Sequence, residues 1–230
     1  VSSGKSFFEE NRSKAPHVMN VLRHLRNALA IDDGYIGFYG AFGYDLGLDF
    51  MGVEREKSRD DSRDLVLYFA DEIFVTDHEK KTSTKYSYDF EIIETKKSTM
   101  FLVRDGKNEP YIPDINYAAS QEFSSQEYDQ VVIEAKDYFA RGDLFEVVPS
   151  YCFNEPCNAL PSTVFNTLLT VNPAPYGALI NLGQGEFTIS ASPEMFVRVE
   201  DNKVESCPIA GTIARGTQGV SDAEQIEKLL

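Results

Sequence analysis

Apolar residues recur at helical spacing in three segments of the chain. From His17 to Ala30, valines and leucines lie three or four residues apart, so one face of a helix would be apolar. Ser124 and Glu127 form a capping box before a second such segment, which Gly142 can end. A shorter helix is predicted at Pro161–Val171, because an Asn-Pro pair follows it and a residue before proline avoids the helical region.

Runs of aromatic and β-branched residues predict strands in the first half of the chain. We expect strands at Tyr35–Asp49, at Leu65–His78 and, after a polar turn at Glu79–Lys81, at Thr82–Tyr88. The charged stretch Glu54–Asp64 interrupts this pattern and is expected to be weakly ordered.

Similar runs predict strands in the second half. They lie at Leu144–Phe153, Tyr176–Leu182, Glu186–Ser190, Met195–Glu200 and Lys203–Cys207. The last four are joined by short turns and predict an antiparallel meander. Pro149 limits the first to an edge or a bulge, because proline cannot donate to a ladder. The pattern as a whole indicates an α+β fold, with largely antiparallel sheets flanked by helices.

The chain has the organisation of a piece of a longer, two-domain protein. The segment Lys96–Ser120 mixes charges with two prolines and has no periodicity, which is typical of a linker. We therefore expect one domain with its linker at residues 1–115 and a second at 116–230. Ser221 and Glu224 open a helix that no Gly, Asn or Pro ends, so the second domain is expected to be incomplete.

Charge narrows the range of partners. The chain carries 22 Lys and Arg against 37 Asp and Glu, a net charge of −15. A field of that sign repels nucleic acid and anionic membrane surfaces, so neither is expected as a partner. No run approaches the roughly 20 apolar residues that span a bilayer, and no signal peptide is apparent, so a cytoplasmic location is expected.

The cysteines do not indicate a metal site or a disulfide framework. There are three of them, Cys152, Cys157 and Cys207, and the histidines lie far upstream. An odd number without a paired motif argues against structural disulfides and against zinc. Reduced, partly buried thiols are the expectation.

The segment Pro208–Gly216, directly after a predicted strand, is the strongest candidate for binding chemistry. Gly211 can expose backbone N–H groups, Thr212 offers a hydroxyl and Arg215 offers a planar guanidinium. These groups suit a ligand with a carboxylate. Spacing alone leaves an ordinary strand exit with a surface arginine equally open.

Four motifs resemble the large subunit of anthranilate synthase, a chorismate-utilising family. In chain order they are Ala135–Val148, Asn172–Tyr176, Ala191–Val197 and Pro208–Gly216. Weaker matches at Gly40–Asp45 and Asp77–His78 extend the resemblance over most of the chain. The sequence from Gly142 to Ser150 most resembles the branch in which the synthase is fused to a glutamine amidotransferase.

The resemblance implies an activity. It is a Mg²⁺-dependent lyase reaction in which chorismate and glutamine-derived ammonia give anthranilate and pyruvate, the first step committed to tryptophan. By the same resemblance Gly211, Thr212 and Arg215 bind chorismate, and Thr212 and Glu146 take part in catalysis. The Mg²⁺ ligands and the general acid/base histidine of the family are expected beyond Leu230.

Two positions separate this chain from sister enzymes. Ala210 stands where aminodeoxychorismate synthases carry a nucleophilic lysine, so covalent catalysis there is excluded. Glu146 stands where isochorismate synthases carry a lysine base. A phenazine-type aminodeoxyisochorismate synthase shares both exclusions and stays open as an alternative.

A regulatory site is also implied by the resemblance. Its tryptophan-binding residues would be Asn172, Pro173, Pro175, Tyr176 and Gly177. Two prolines also stiffen a loop without any ligand, so a plain turn is the competing interpretation. A non-catalytic fragment that retains only this tryptophan-binding module is a further alternative.

Overall fold

The computed structural model describes residues 17–51, 53, 63–103, 111–113, 118–121, 123–209, 211–216 and 219–229. The chain divides into two compact units, Val1–Asn108 and Glu109–Leu230. Both contain helices and antiparallel strand pairs, which confirms the predicted α+β class. The predicted boundary between residues 115 and 116 falls outside the described residues and stays a prediction.

Within the described residues, the first unit contains two short helices, three strand pairs and one 3-10 turn. Its elements are α1 (Val18–Leu29), β1 (Phe38–Phe42), α2 (Leu46–Met51), β2 (Leu65–Phe69), β3 (Glu72–Asp77), β4 (Thr82–Ser87), β5 (Glu91–Ile92), β6 (Lys97–Ser98) and the 3-10 turn Thr99–Phe101. The antiparallel pairs are β1 with β2, β3 with β4, and β5 with β6. Glycine is needed at residue 40, because a Cβ there would lie 2.0 Å from the Val66 carbonyl oxygen across the β1–β2 pair.

In its described residues, the second unit contains three helices and three further strand pairs. Its elements are β7 (Ser120–Gln121), α3 (Ser125–Arg141), β8 (Phe153–Asn154), α4 (Pro161–Val171), β9 (Tyr176–Gly183), β10 (Glu186–Ser192), β11 (Met195–Glu200), β12 (Lys203–Cys207) and α5 (Asp222–Leu229). The pairs are β7 with β8, β9 with β10, and β11 with β12, all antiparallel.

Helix α3 has both of the predicted caps. The Ser124 hydroxyl accepts from the Glu127 backbone N–H, and the Glu127 carboxylate accepts from the Ser124 backbone N–H at 2.8 Å. The bonds that the Glu127 carboxylate accepts from the Ser124 backbone N–H and hydroxyl lower the pKa of Glu127, since they stabilise its ionised form. Gly142 ends the helix with a φ of 78°, in the left-handed region that favours glycine.

An aromatic cluster lies beside α3. The Tyr151 ring contacts the rings of Tyr128 and Phe153 at 5.0 and 4.6 Å between centroids, and Phe123 lies at the edge of the group. The Tyr128 hydroxyl donates to the Pro149 carbonyl oxygen at 3.1 Å. The cluster thus ties the first turn of α3 to the segment that precedes β8.

Several predicted strands are wrong in extent. The last four residues of the strand predicted at Tyr35–Asp49 lie in α2 (Leu46–Met51) instead, after a turn at Tyr44–Asp45. The run Leu65–His78 is two strands, because Ala70 and Asp71 interrupt it and its two halves pair with different partners.

The strand predicted at Leu144–Phe153 is also wrong, since regular pairing begins only at Phe153. Pro149 lacks the N–H that a ladder needs, and its carbonyl instead accepts from Tyr128. The predicted meander forms as two separate hairpins, since β10 pairs with β9 and β11 with β12. The stretch Glu54–Asp64 falls almost wholly outside the described residues.

Few apolar side chains are buried in the part of the chain that is described. Only Leu46 and Leu182 are, each with 7% of its surface exposed. Cys152, Cys157 and Cys207 are exposed and are not part of a disulfide among the described residues, so the predicted partial burial of the thiols is wrong. Within the described ranges, no helix combines the length and the apolar character that crossing a bilayer requires.

Candidate functional site

The candidate site is the loop after β12, Pro208–Gly216, in which Ala210 lies outside the described residues. Gly211 has a φ of 75°, a left-handed conformation that glycine adopts without strain. The described residues from Pro208 to Arg215 are all exposed. The loop therefore presents backbone groups and side chains at its surface, as a ligand-binding loop requires.

Asp222 anchors the end of this loop. Its Oδ1 accepts from the Gly216 backbone N–H at 2.7 Å, and its Oδ2 accepts from Arg215 Nη1 at 3.3 Å. The Arg215 side chain is nevertheless 92% exposed. One carboxylate thus holds two consecutive loop residues while most of the guanidinium stays accessible.

The loop lies directly against the start of α5. A Cβ at Gly216 would lie 2.3 Å from the Val220 carbonyl oxygen, so only glycine fits there. The helix start is fixed by the predicted capping box, in which the Ser221 N–H donates to the Glu224 carboxylate at 2.7 Å. That bond and a second from the Ser221 hydroxyl lower the pKa of Glu224.

The two residues predicted to be catalytic lie in different segments. Thr212 is an exposed residue of the loop, and Glu146 is exposed in the irregular segment between α3 and β8. Neither forms a hydrogen bond or ion pair with another described residue. Their roles stay predictions.

The segment predicted to bind tryptophan joins α4 to β9. Asn172 caps α4, with its N–H donating to the Leu168 carbonyl oxygen at 2.8 Å, and Tyr176 begins β9 with its side chain exposed. Pro173 and Pro175 are exposed between them. A Cβ at Gly177 would lie 3.0 Å from Leu169 Cδ2, so glycine lets β9 approach the helix closely. The predicted residues are therefore contiguous at one end of α4.

The described residues do not form a metal site. No group of three or more His, Cys, Asp or Glu side chains is placed to hold an ion within the described ranges. The Mg²⁺ implied by the resemblance therefore does not fit this part of the protein, and no chemical step is assigned to it here.

Two features escaped prediction from the sequence. The first is the role of Asp222, and the signal that could have indicated it is an acidic residue six positions after the glycine of an Arg-Gly pair. The second feature is a cavity of about 440 Å³ in the first unit, lined by Tyr88 and the end of α1 among others. The Tyr88 hydroxyl is buried without a well-formed hydrogen bond. Burial, with a smaller contribution from Asp33, raises the pKa of Tyr88 to about 12.

Comparison with known proteins places the chain among chorismate-utilising proteins. Residues 3–230 match the family described as chorismate binding enzyme. The chain is 46% identical over 223 residues to an anthranilate synthase of Azospirillum brasilense, which covers 96% of the chain and 30% of the relative. It is 29% identical over 223 residues to anthranilate synthase component 1 of Vibrio cholerae, which covers 90% of the chain and 42% of the relative.

A solved structure has a similar fold. Anthranilate synthase component I from Streptococcus pneumoniae superposes with a TM-score of 0.58 at 18% identity, over 80% of this chain and 46% of that one. At this identity the likeness establishes the fold alone. The chain spans less than half the length of each of these relatives.

Proposed function

We propose, since this chain belongs to the family of chorismate binding enzymes, that it is part of an anthranilate synthase. The observation that carries the proposal is its identity to the Azospirillum anthranilate synthase along almost the whole chain. An alignment of 223 residues covers 30% of the Azospirillum polypeptide but 42% of the Vibrio component 1. The Azospirillum polypeptide is therefore longer. This supports a relation to the branch in which the synthase is fused to a further domain, here a glutamine amidotransferase.

The proposed reaction is the addition of ammonia to C2 of chorismate with loss of the C4 hydroxyl as water. Elimination of pyruvate then leaves anthranilate. Chorismate carries two carboxylates, and the chain has a net charge of −15, so local cationic and N–H groups must offset the repulsion. A hydrogen bond to a charged group contributes about 1.5–3 kcal/mol, so several such bonds are needed.

The loop after β12 supplies groups of this kind. Gly211 and Thr212 are proposed to donate to one substrate carboxylate, and the exposed Arg215 to bind it through parallel N–H groups. Glu146 and Thr212 are proposed to act at the reacting centre. Magnesium, which the family resemblance implies, would add Lewis-acid chemistry from ligands that are not among the described residues.

The experiment is an anthranilate fluorescence assay of the full-length protein with chorismate, ammonium salt and Mg²⁺. Fluorescent product together with pyruvate, detected with lactate dehydrogenase, is the expected result. A dihydro-aromatic acid without pyruvate would instead identify a phenazine-type enzyme. The 230-residue chain alone is expected to be inactive, and turnover by it would contradict our placement of the missing catalytic groups.

A feedback site for tryptophan at Asn172–Gly177 is the finer part of the proposal. Replacing the exposed Tyr176 with alanine in the full-length protein is expected to raise the tryptophan concentration for half inhibition at least about tenfold, with kcat unchanged. Gln184→Ala, at the turn end of the same strand, is the matched control. Equal inhibition of both variants and the wild type would reduce the segment to a plain turn.

A further inference from the structure

We infer that Asp222 is a positioning residue, which holds the loop after β12 in place and directs the Arg215 guanidinium toward a carboxylate-bearing ligand. This inference rests on the proposed function, because it gives Asp222 a part in binding chorismate at that loop. Asp222 itself would not touch the substrate.

The two oxygens of the Asp222 carboxylate have different roles. Oδ1 accepts from the Gly216 backbone N–H, which fixes the path of the chain as it leaves the loop. Oδ2 accepts from Arg215 Nη1, which restrains a long side chain. Because the two donors belong to neighbouring residues, loss of the carboxylate would release the backbone and the guanidinium together.

The anchor is itself rigidly placed. Asp222 is the first residue of α5, whose start is closed by reciprocal bonds between Ser221 and Glu224. The close approach of Gly216 to the Val220 carbonyl leaves no room for the loop to shift toward the helix. Asp222 therefore transmits the position of the helix to the loop.

The contact leaves Arg215 free to bind. A guanidinium has five N–H donors, and the contact with Asp222 uses one of them. The remaining donors belong to a side chain that is almost fully exposed, and they can meet a carboxylate bidentately. Holding the side chain in advance reduces the rotamer entropy that is lost when a ligand binds.

Three variants of the full-length protein test the inference. Asp222→Ala removes both contacts and is expected to raise the KM for chorismate about tenfold, while kcat changes less than about twofold, since the lost interaction is uniform binding. Asp222→Asn keeps an oxygen for the Gly216 N–H but presents a donor to Arg215, so a rise of about threefold is expected. Glu227→Gln removes an exposed carboxylate of the same helix, outside the capping box and the loop, and its KM should equal that of the wild type.

A double-mutant cycle gives a second readout that a merely structural role would not move. In an Arg215→Ala background, Asp222→Asn should cause no further rise in KM, because its effect passes through the guanidinium. Independent effects of the two substitutions, or equal KM values for Asp222→Ala and Glu227→Gln, would overturn the inference. If Asp222→Ala does not fold, Asp222→Asn and the cycle still decide.

Calorimetric binding of chorismate separates this inference from the proposed function. Binding that weakens in Asp222→Asn but not in Glu227→Gln would support the role of Asp222 even if no variant formed anthranilate, and the proposed function alone would then fail. A wild-type protein that does not bind chorismate would overturn both.

Discussion

The two hairpins β9–β10 and β11–β12 follow each other in the chain but differ in what covers them. Helix α4 packs on both strands of the first, and the residues from Phe187 to Ser192 are all partly buried. Every residue of the second from Phe196 to Cys207 is exposed. The difference teaches that a strand pattern read from sequence predicts local pairing in both hairpins but burial in only one.

Different interactions hold the two pairs together. In β9–β10 the chain turns at Gln184 and Gly185, and Leu182 just before the turn is one of the two buried apolar residues of the described chain. In β11–β12 an Arg198–Glu205 ion pair and a Val199–Val204 pair lie across the strands. Side-chain burial is therefore expected to dominate the first hairpin, and the turn with cross-strand pairs the second.

The largest effect is expected from Leu182→Ala in the covered hairpin. Truncation of a buried leucine removes apolar burial and leaves a cavity, which costs about 3 kcal/mol in the free energy of unfolding. Urea unfolding of the chain measures it. Val204→Ala in the exposed hairpin is the matched control, with an expected change within about 0.5 kcal/mol. Similar losses in both variants would remove the contrast between the hairpins.

The next effect is expected from Gly177→Val. Even a Cβ at this position would lie 3.0 Å from Leu169 Cδ2 and 3.6 Å from the Phe165 ring, so a valine forces β9 and α4 apart. Overpacking of this kind costs about 2 kcal/mol. Gly177→Ala should cost less, because the Leu169 side chain can move slightly. Thermal unfolding measures both variants. A lower melting temperature for Gly177→Ala than for Gly177→Val would contradict this account of the contact.

A smaller effect is expected from Asn202→Ala in the exposed hairpin. Asp201 and Asn202 both have positive φ, at 47° and 62°, as a type I′ turn requires. Asparagine tolerates this region better than alanine, so the exchange costs about 1 kcal/mol. Amide hydrogen exchange of β11 and β12 should accelerate, while that of β9 and β10 stays unchanged. Acceleration in both hairpins would mean that they unfold as one unit.

The smallest effect is expected from Arg198→Ala. The guanidinium bonds to Glu205 through two nitrogens, and this contact raises the pKa of Arg198, but both side chains are about half exposed. Exposed ion pairs contribute little and are screened by salt. Hydrogen exchange in β11 should rise slightly at low salt and equal the wild type in 1 M salt. A loss that persists at high salt would indicate packing by the arginine stem instead.

Local features of the fold were predictable from the sequence, and pairing across the chain was not. The caps of α3 and the bounds of α4 follow from short-range rules about Ser124, Gly142 and Pro161, and the structure confirms them. The split of Leu65–His78 was missed, because the polar pair Asp71–Glu72 within the run does not by itself reveal that the two halves pair with different partners. Which strands meet depends on contacts that no local pattern contains.

The candidate site, like the fold, was predictable from the sequence only in part. Gly211 and Arg215 could be selected because glycine and arginine after a strand suit an anion, and the structure places both on an exposed loop. Asp222 was missed, since a carboxylate in the first turn of a helix is already explained by the helix dipole. Its contacts with two loop residues join positions six and seven residues apart, which the short-range rules for helix starts do not include.

The arrangement of the strands affects how this chain behaves at high concentration. Every sheet in its described part has two strands, so every strand is an edge with unpaired N–H and carbonyl groups along one side. Such edges are templates on which strands of other molecules can add. The exposed Val199 and Val204 of the β11–β12 hairpin provide apolar surface for the same association. Loss of native protein during storage should therefore depend on concentration, and dilution should slow it.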